Sequence, residues 1–150
     1  LLVVIDDADL VRSWEAEGVH VGQDDLGAEE VGAAVGPDAI VGLSTHSEEQ
    51  IAASADAPTD YISVGPIWET PTKEGRPAVG LELISHAAAK AAHPFFAIGG
   101  IDPGNAGEVV EAGARRLCVV RAIRDAEDPA AVATQLRAAF ASVGEAAPGA

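Results

Sequence analysis

At 150 residues, 48% of them hydrophobic, the chain is sized for one domain and can bury a core. Its formal net charge of -15 argues against a nucleic-acid partner, because phosphate backbones select basic faces. No apolar run approaches the roughly 20 residues that cross a bilayer, and no basic-then-apolar segment opens the chain, so a soluble cytoplasmic protein without a membrane partner is expected.

Short runs rich in Val, Ile, Leu and aromatic residues recur at 1–5, 18–21, 40–43, 61–64, 95–98 and 117–120. Between them lie alanine- and glutamate-rich stretches such as "GAEEVGAAVG", "SEEQIAASA" and "LELISHAAAKAA". Strands alternating with helical patterns predict repeated strand-helix units around a parallel sheet buried on both faces. Ser47-Glu48-Glu49-Gln50 is a capping box, in which the serine hydroxyl and the glutamine side chain satisfy amides of the first helical turn. Asp128-Pro129 supplies an N-cap and a proline at the first helical position, and "PAAVATQLRAAFASV" continues as an amphipathic final helix. The domain is expected over 1–143, with a frayed tail over 144–150. Cys118 has no cysteine partner and reads as a small hydrophobe in a strand.

Polar and glycine residues gather just after each run: "IDD", "GQDD", "STHS", "GPIWETPTK", "GGIDPGN" and "RAI". Ligands bind at the carboxyl ends of parallel strands, so these clusters are expected to converge on one site. Asp7 and Asp25 follow neighbouring strands, and two carboxylates beside phosphate oxygens make a magnesium site; alternatively Asp6, Asp7, Asp24 and Asp25 belong to the acidic surface. "AIGG" ends a strand in two glycines, which lets backbone amides approach a phosphate, and "VVRAI" would complete the cup. In the loop after 61–64, Lys73 is a point cation suited to a diphosphate, Thr70 and Thr72 offer hydroxyls, and Pro66, Pro71 and Pro77 restrict the backbone. Lysine occurs only at Lys73 and Lys90, so a cationic spot in this acidic chain points to a phosphorylated substrate. His20 alternates with strand residues and is expected to be packed inside a barrel of such strands, and His46 at a helix start near the pocket.

"GVHVGQDDL", "GPDAIVGLSTHSEEQ", "DYISVGPIWETPTKEGRPAVGLE", "FFAIGGIDPGN" and "VVRAIRDAEDPAA", in that order, closely resemble the thiamine phosphate synthase family. The resemblance implies a (β/α)8 TIM-barrel transferase that joins hydroxymethylpyrimidine diphosphate to thiazole phosphate with Mg2+, giving thiamine phosphate and diphosphate. By position it implies Asp7 and Asp25 as metal ligands, with Asp6 open as an alternative, and Lys73 on the diphosphate. It further implies Ser44 near the reacting pyrimidine, Lys73 and Ser44 as the catalytic residues, Asp6 as a substrate-binding residue, and Thr70, Thr72 and the backbone at Gly100, Val120 and Arg121 as the cradle of the thiazole phosphate. Where the family commonly has Asn-Asp, this chain has Asp6-Asp7. The family's first two strands, with a Gln-x-Arg-x-Lys segment, have no counterpart here, which leaves about six of the eight units.

That reading makes exposed strand edges and self-association into a homo-oligomer an expectation. With no methionine, even at position 1, the chain is expected to be either processed or a piece of something longer. Two other readings stay open: a thiazole tautomerase of the same fold, for which His46 would matter, and a fragment that binds phosphate without turnover. The spread of acidic residues and the scarcity of lysine are also what a halophilic source would produce.

Overall fold

The computed structural model describes residues 1–25, 27–69 and 77–144. Six parallel strands form one sheet in sequential order: β1 (Val3–Ile5), β2 (Gly18–Val21), β3 (Ile40–Thr45), β4 (Tyr61–Val64), β5 (Phe95–Ile98) and β6 (Leu117–Cys118). Between and after them come α1 (Ala8–Ser13), α2 (Ala28–Val35), α3 (Glu48–Ala53), α4 (Gly80–Lys90), α5 (Ala106–Glu111), α6 (Arg121–Arg124) and α7 (Pro129–Gly144). The result is an α/β fold whose parallel sheet curls into a half-barrel.

Strand alternation sorts the residues between two faces. The outward set includes Val4, Val19, Val21, Val41, Ile62, Val64, Phe95 and Ala97, all buried. Val4, Val19, Val21 and Val41 pack with Val11 of α1 and Val31 of α2. Ile62, Val64, Phe95 and Ala97 pack with Ile51, Ile84, Val109 and Leu136 from α3, α4, α5 and α7. The inward set, including Val3, Ile5, His20, Ser44, Tyr61, Ser63, Phe96, Ile98 and Cys118, lines a cavity of about 990 Å3. Helices therefore pack on the convex face, while the concave face opens onto the cavity instead of a second helical layer.

The predicted helix starts are present, with one change. Ser47 Oγ accepts the Gln50 amide at 3.3 Å, but Gln50 Oε1 accepts the amide of His46, one residue beyond the expected Ser47. This longer reach still satisfies a backbone donor at the end of β3 and ties the helix to His46. Asp128 Oδ1 accepts the Ala131 amide at 2.9 Å and caps α7, which runs one residue past the expected domain end to Gly144. Residues 145–150 of the expected tail lie outside the described residues. The sixth strand is shorter than expected: Val120 stands before α6 as its N-cap instead of continuing the strand.

Two inward side chains at the first edge strand are strongly exposed, Leu1 at 88% and Ile5 at 65%. Val120, at the opposite side of the sheet, is 45% exposed. Apolar surface of this kind is expected at an open end of a curled sheet, where strand-edge amides and carbonyls also lack lateral partners.

Candidate active site at the carboxyl ends of the strands

One cavity collects residues that follow five of the six strands, with β2 contributing His20 from within the strand. Asp6 comes from the end of β1, His46 from the end of β3, Gly65 and Pro66 from β4, Gly99 to Asp102 from β5, and Val119 to Ala122 from β6. Of the sequence-predicted site residues, the structure thus brings Asp6, Ser44, Gly100, Val120 and Arg121 to a single cavity. Thr70, Thr72 and Lys73, with Pro71 and Arg76, lie outside the described residues.

The two aspartates after β1 divide their work. Asp6 takes a left-handed backbone (φ 63) and its amide donates to the His20 carbonyl at 3.0 Å, which continues the β1–β2 pairing by one step. Asp7 is the N-cap of α1, its Oδ1 accepting the Asp9 amide at 2.9 Å. Capping by a carboxylate is favourable because it meets an orphan amide and the positive end of the helix. Asp25 closes the turn after β2, its Oδ2 accepting the Gly22 amide at 2.7 Å. Asp6 lines the cavity, whereas Asp7 and Asp25 are not among its lining residues and are exposed capping and turn carboxylates.

Among the described residues no group of three or more His, Cys, Asp and Glu forms a metal cluster. Magnesium is compatible with a sparser set, since it takes one or two carboxylates and completes its shell with water and substrate phosphate. Asp7 and Asp25 each commit one oxygen to an amide, and a carboxylate has acceptor capacity beyond one hydrogen bond, so each keeps an oxygen chemically suited to such an ion.

The glycine pair after β5 has two physical causes. Gly99 (φ 102) and Gly100 (φ 70) occupy the left-handed region. A Cβ on Gly99 would also stand 2.5 Å from Pro66 Cα, and one on Gly100 2.9 Å from Trp68 Cβ. The pair is thus needed to seat the loop after β4 against the end of β5, and the bared backbone of Gly100 faces the cavity. Asn105 holds the turn, its Nδ2 donating to the Gly100 carbonyl and its Oδ1 accepting the Asp102 amide, both at 2.9 Å.

Ser44 is 7% exposed and belongs to a network that the sequence reading did not assemble. Its Oγ lies 2.9 Å from His20 Nε2 and 3.5 Å from Ser63 Oγ, while His20 Nδ1 lies 3.0 Å from the Tyr61 hydroxyl. Gln23 Nε2 donates to the Ser44 carbonyl at 2.6 Å. Tyr61 and Ser63 were legible in principle, because period two puts them on one strand face. Only register, Ser44 beside Ser63 and Gly42 beside Tyr61, shows that this face is Ser44's own. Burial pushes the Tyr61 phenol up from its ordinary pKa, so it remains protonated. Burial likewise raises the Cys118 thiol, which lines the cavity as a poor nucleophile. His46, expected near the pocket, lines it, and its Nδ1 contacts the Gly65 carbonyl.

The sequence profile of the thiamine monophosphate synthase family matches residues 1–123. The thiamine-phosphate synthase of Acidothermus cellulolyticus is 51% identical over 144 residues, covering 95% of this chain and 68% of that protein. That of Saccharopolyspora erythraea is 51% identical over 140 residues, covering 91% of this chain and 63% of that protein. Among solved structures, the thiamine phosphate pyrophosphorylase of Pyrococcus furiosus superposes with a TM-score of 0.84 at 29% identity, covering 94% of this chain and 67% of that one. The chain spans about two thirds of the length of these relatives. By sequence profile and by close relatives alike, the chain belongs to the thiamine monophosphate synthase family.

Proposed function

We propose that this chain carries the active site of a thiamine-phosphate synthase, a transferase that couples hydroxymethylpyrimidine diphosphate to thiazole phosphate and releases diphosphate. The observation that carries the reading is the 51% identity to a thiamine-phosphate synthase over 95% of the chain. The convergence of Asp6, Ser44, Gly100, Val120 and Arg121 on one cavity supports it. On this reading the six strands are six of the eight units of a (β/α)8 barrel. The exposed Leu1, Ile5 and Val120 at the two ends of the sheet support that count, and they favour self-association of the chain as it stands.

The reaction breaks the bond between the pyrimidine's exocyclic carbon and the diphosphate oxygen, and the bonding electrons leave with diphosphate. Positive charge is spread over the electron-rich pyrimidine, and the thiazole nitrogen supplies the electron pair of the new C–N bond. Magnesium held by Asp7 and Asp25 would neutralise the diphosphate charge, and Asp6 is the carboxylate that faces the cavity. Lys73 is placed by the reading on that diphosphate, where a fixed cation lowers the barrier most as negative charge develops. Thr70, Thr72 and the backbone at Gly100, Val120 and Arg121 hold the thiazole phosphate. Ser44 contacts the pyrimidine, and the apolar walls at Phe96 and Ile98 exclude water from the cation. Its substrates are multiply charged and do not cross a bilayer unaided, so the cytoplasm is the proposed place of action.

The test is thiamine phosphate formation by the 150-residue chain with magnesium and both substrates, beside a chimera that adds the N-terminal third of the Acidothermus cellulolyticus relative. Product from either supports the reading, and product from the chimera alone assigns the remaining contacts to the added third. Silence from both, with the chimera folded, refutes it.

A second reading, an isomerase acting on a thiazole carboxylate phosphate tautomer, is favoured by the placement of His46 in the cavity wall. Conversion of that tautomer by the same preparations, without thiamine phosphate formation, would select it. Binding of thiazole phosphate without turnover by either preparation would select a phosphate-binding fragment.

A further inference from the structure

The concave face contains a bridge between strands that are not neighbours. His20 on β2 pairs in register with Gly42 on β3, which in turn pairs with Tyr61 on β4. Adjacent strands lie about 4.8 Å apart, so side chains two strands away meet only if the position between them is empty. Gly42 provides that gap: a Cβ there would overlap both the Tyr61 ring and His20 Nδ1. Gly42 is not among the described glycines with positive φ, so backbone conformation gives no separate reason for a glycine.

The contact has a direction. A phenol is a stronger hydrogen-bond donor and a weaker acceptor than an alkyl hydroxyl, so of the two hydroxyls beside the ring, Tyr61 at 3.0 Å from Nδ1 and Ser44 at 2.9 Å from Nε2, the phenol is assigned as the donor to the imidazole. A neutral imidazole carries one N–H, so if Nδ1 accepts, the proton is on Nε2. That nitrogen lies 2.9 Å from Ser44 Oγ and 3.4 Å from Ser63 Oγ, so Nε2–H donates to Ser44. Ser63 Oγ, at 3.5 Å, approaches the same oxygen. A hydroxyl that accepts from His20 cannot return its own proton to that nitrogen, and directs it into the cavity.

We propose that Gly42 admits a Tyr61–His20 pair that fixes the Nε2–H tautomer and thereby makes the Ser44 hydroxyl an obligate donor to a ring-nitrogen acceptor of a heteroaromatic ligand. His20 and Tyr61 are positioning residues for Ser44. The ligand half of the inference rests on the proposed pyrimidine substrate. The shape of the wall agrees with a flat ring: Phe96 meets Tyr61 edge-on at 5.3 Å beside the serines. A pocket that offers a fixed donor rejects rings without an acceptor at that edge, because the hydroxyl is then left unpaired.

The tautomer is read directly from the imidazole nitrogen shifts of the 15N-histidine-labelled chain. Wild type is expected to show His20 protonated at Nε2 and unprotonated at Nδ1, and Tyr61→Phe, which keeps the ring, to shift the signal toward the other tautomer. An Nδ1–H imidazole in wild type, or an unchanged spectrum in Tyr61→Phe, overturns the proposal without reference to catalysis. Gly42→Ala would have to expel one of the two rings, so Tyr61→Phe is the informative variant if Gly42→Ala does not fold. In a second arm, hydroxymethylpyrimidine binding is expected to weaken about fivefold in Tyr61→Phe and Ser44→Ala, the size of one net hydrogen bond. His20→Gln, whose amide can donate to Ser44, is expected to bind better than His20→Ala, and thiazole phosphate affinity to stay constant in all four. Equal losses in His20→Gln and His20→Ala would overturn the donor assignment. No pyrimidine binding by a wild type that shows the Nε2–H imidazole would overturn the ligand half and the functional reading, and leave the bridge itself standing.

Discussion

The Ile67 amide donates to the Ile98 carbonyl at 2.9 Å, and this bond carries the β4–β5 pairing past the end of β4 into the loop that follows it. Trp68 N donates to the Gly99 carbonyl at 3.3 Å, and on the returning side Val79 N donates to Pro66 O at 2.8 Å and Gly80 N to Ile67 O at 3.2 Å. Ile67 is fully buried, so both ends of the loop depart from one fixed base beside the cavity. The proposed function puts Lys73, in the segment between these two ends, on the diphosphate.

Lys73→Ala is therefore expected to act on chemistry and not on the fold. Removal of a cation from a developing anion costs about 10²-fold or more in turnover, while the thermal midpoint is expected to stay unchanged. Turnover and the thermal midpoint, measured together on the active preparation, check this; an unchanged rate would remove Lys73 from the diphosphate.

Two glycine substitutions should have opposite signs. Gly99→Ala meets a left-handed backbone and the Pro66 Cα at 2.5 Å, and is expected to destabilise by about 2 kcal/mol or more. Gly32→Ala, within α2 and with nothing within 4 Å of a new Cβ, should stabilise by about 0.5–1 kcal/mol. Urea unfolding of the pair checks both, and equal effects would mean that the turn after β5 is not strained.

Asp7 combines a cap with a proposed metal ligand, and the two roles come apart by substitution. Asparagine caps a helix as well as aspartate does, while alanine loses about 1 kcal/mol. Asp7→Asn should keep the midpoint and raise the magnesium needed for half-maximal turnover at least about tenfold, as expected from loss of one charged ligand. Asp7→Ala should lower the midpoint and raise the magnesium requirement. If instead Asp6→Asn alone shifts the magnesium requirement, the metal belongs to Asp6.

Salt should stabilise this chain. A net charge of -15 repels itself, and the screening length falls from about 10 Å at 0.1 M to about 3 Å at 1 M salt. Denaturation midpoints are expected to rise as potassium chloride is raised over that range. Full stability without added salt would count against a halophilic source.

Cys118 should alkylate slowly. Burial raises its thiol pKa, so at pH 8 the thiolate fraction lies below that of a free cysteine and increases only at higher pH. The iodoacetamide rate as a function of pH tests this, and a rate at pH 7 above that of a free thiol would make Cys118 an activated group instead.

Much of the architecture was legible because its causes are local. Alternation of β-branched runs with alanine-rich stretches marked all six strands, and Ser47 and Asp128 marked helix starts through side chains that bond amides within three residues. The placement of polar residues after each strand was equally local, and the cavity that gathers five of these six clusters follows from parallel pairing in sequential order.

What depended on distant partners was not legible. "AIGG" reads as a phosphate turn, yet the need for glycine at 99 and 100 also comes from Pro66 and Trp68, which approach from another unit. Asp6 and Asp7 are indistinguishable by type, and only the backbone turn at Asp6 sends one to the cavity and the other to a helix cap.

The sequence by itself determined the periodicity, the helix starts, the acidic surface and the family, since each is encoded in residue types at short spacing. The tertiary structure alone decided that His20 and Tyr61, 41 positions apart, meet over Gly42 beside the Ser44 hydroxyl. That outcome depends on the register of three strands, and register is a property of the whole sheet that no short stretch of chain can specify.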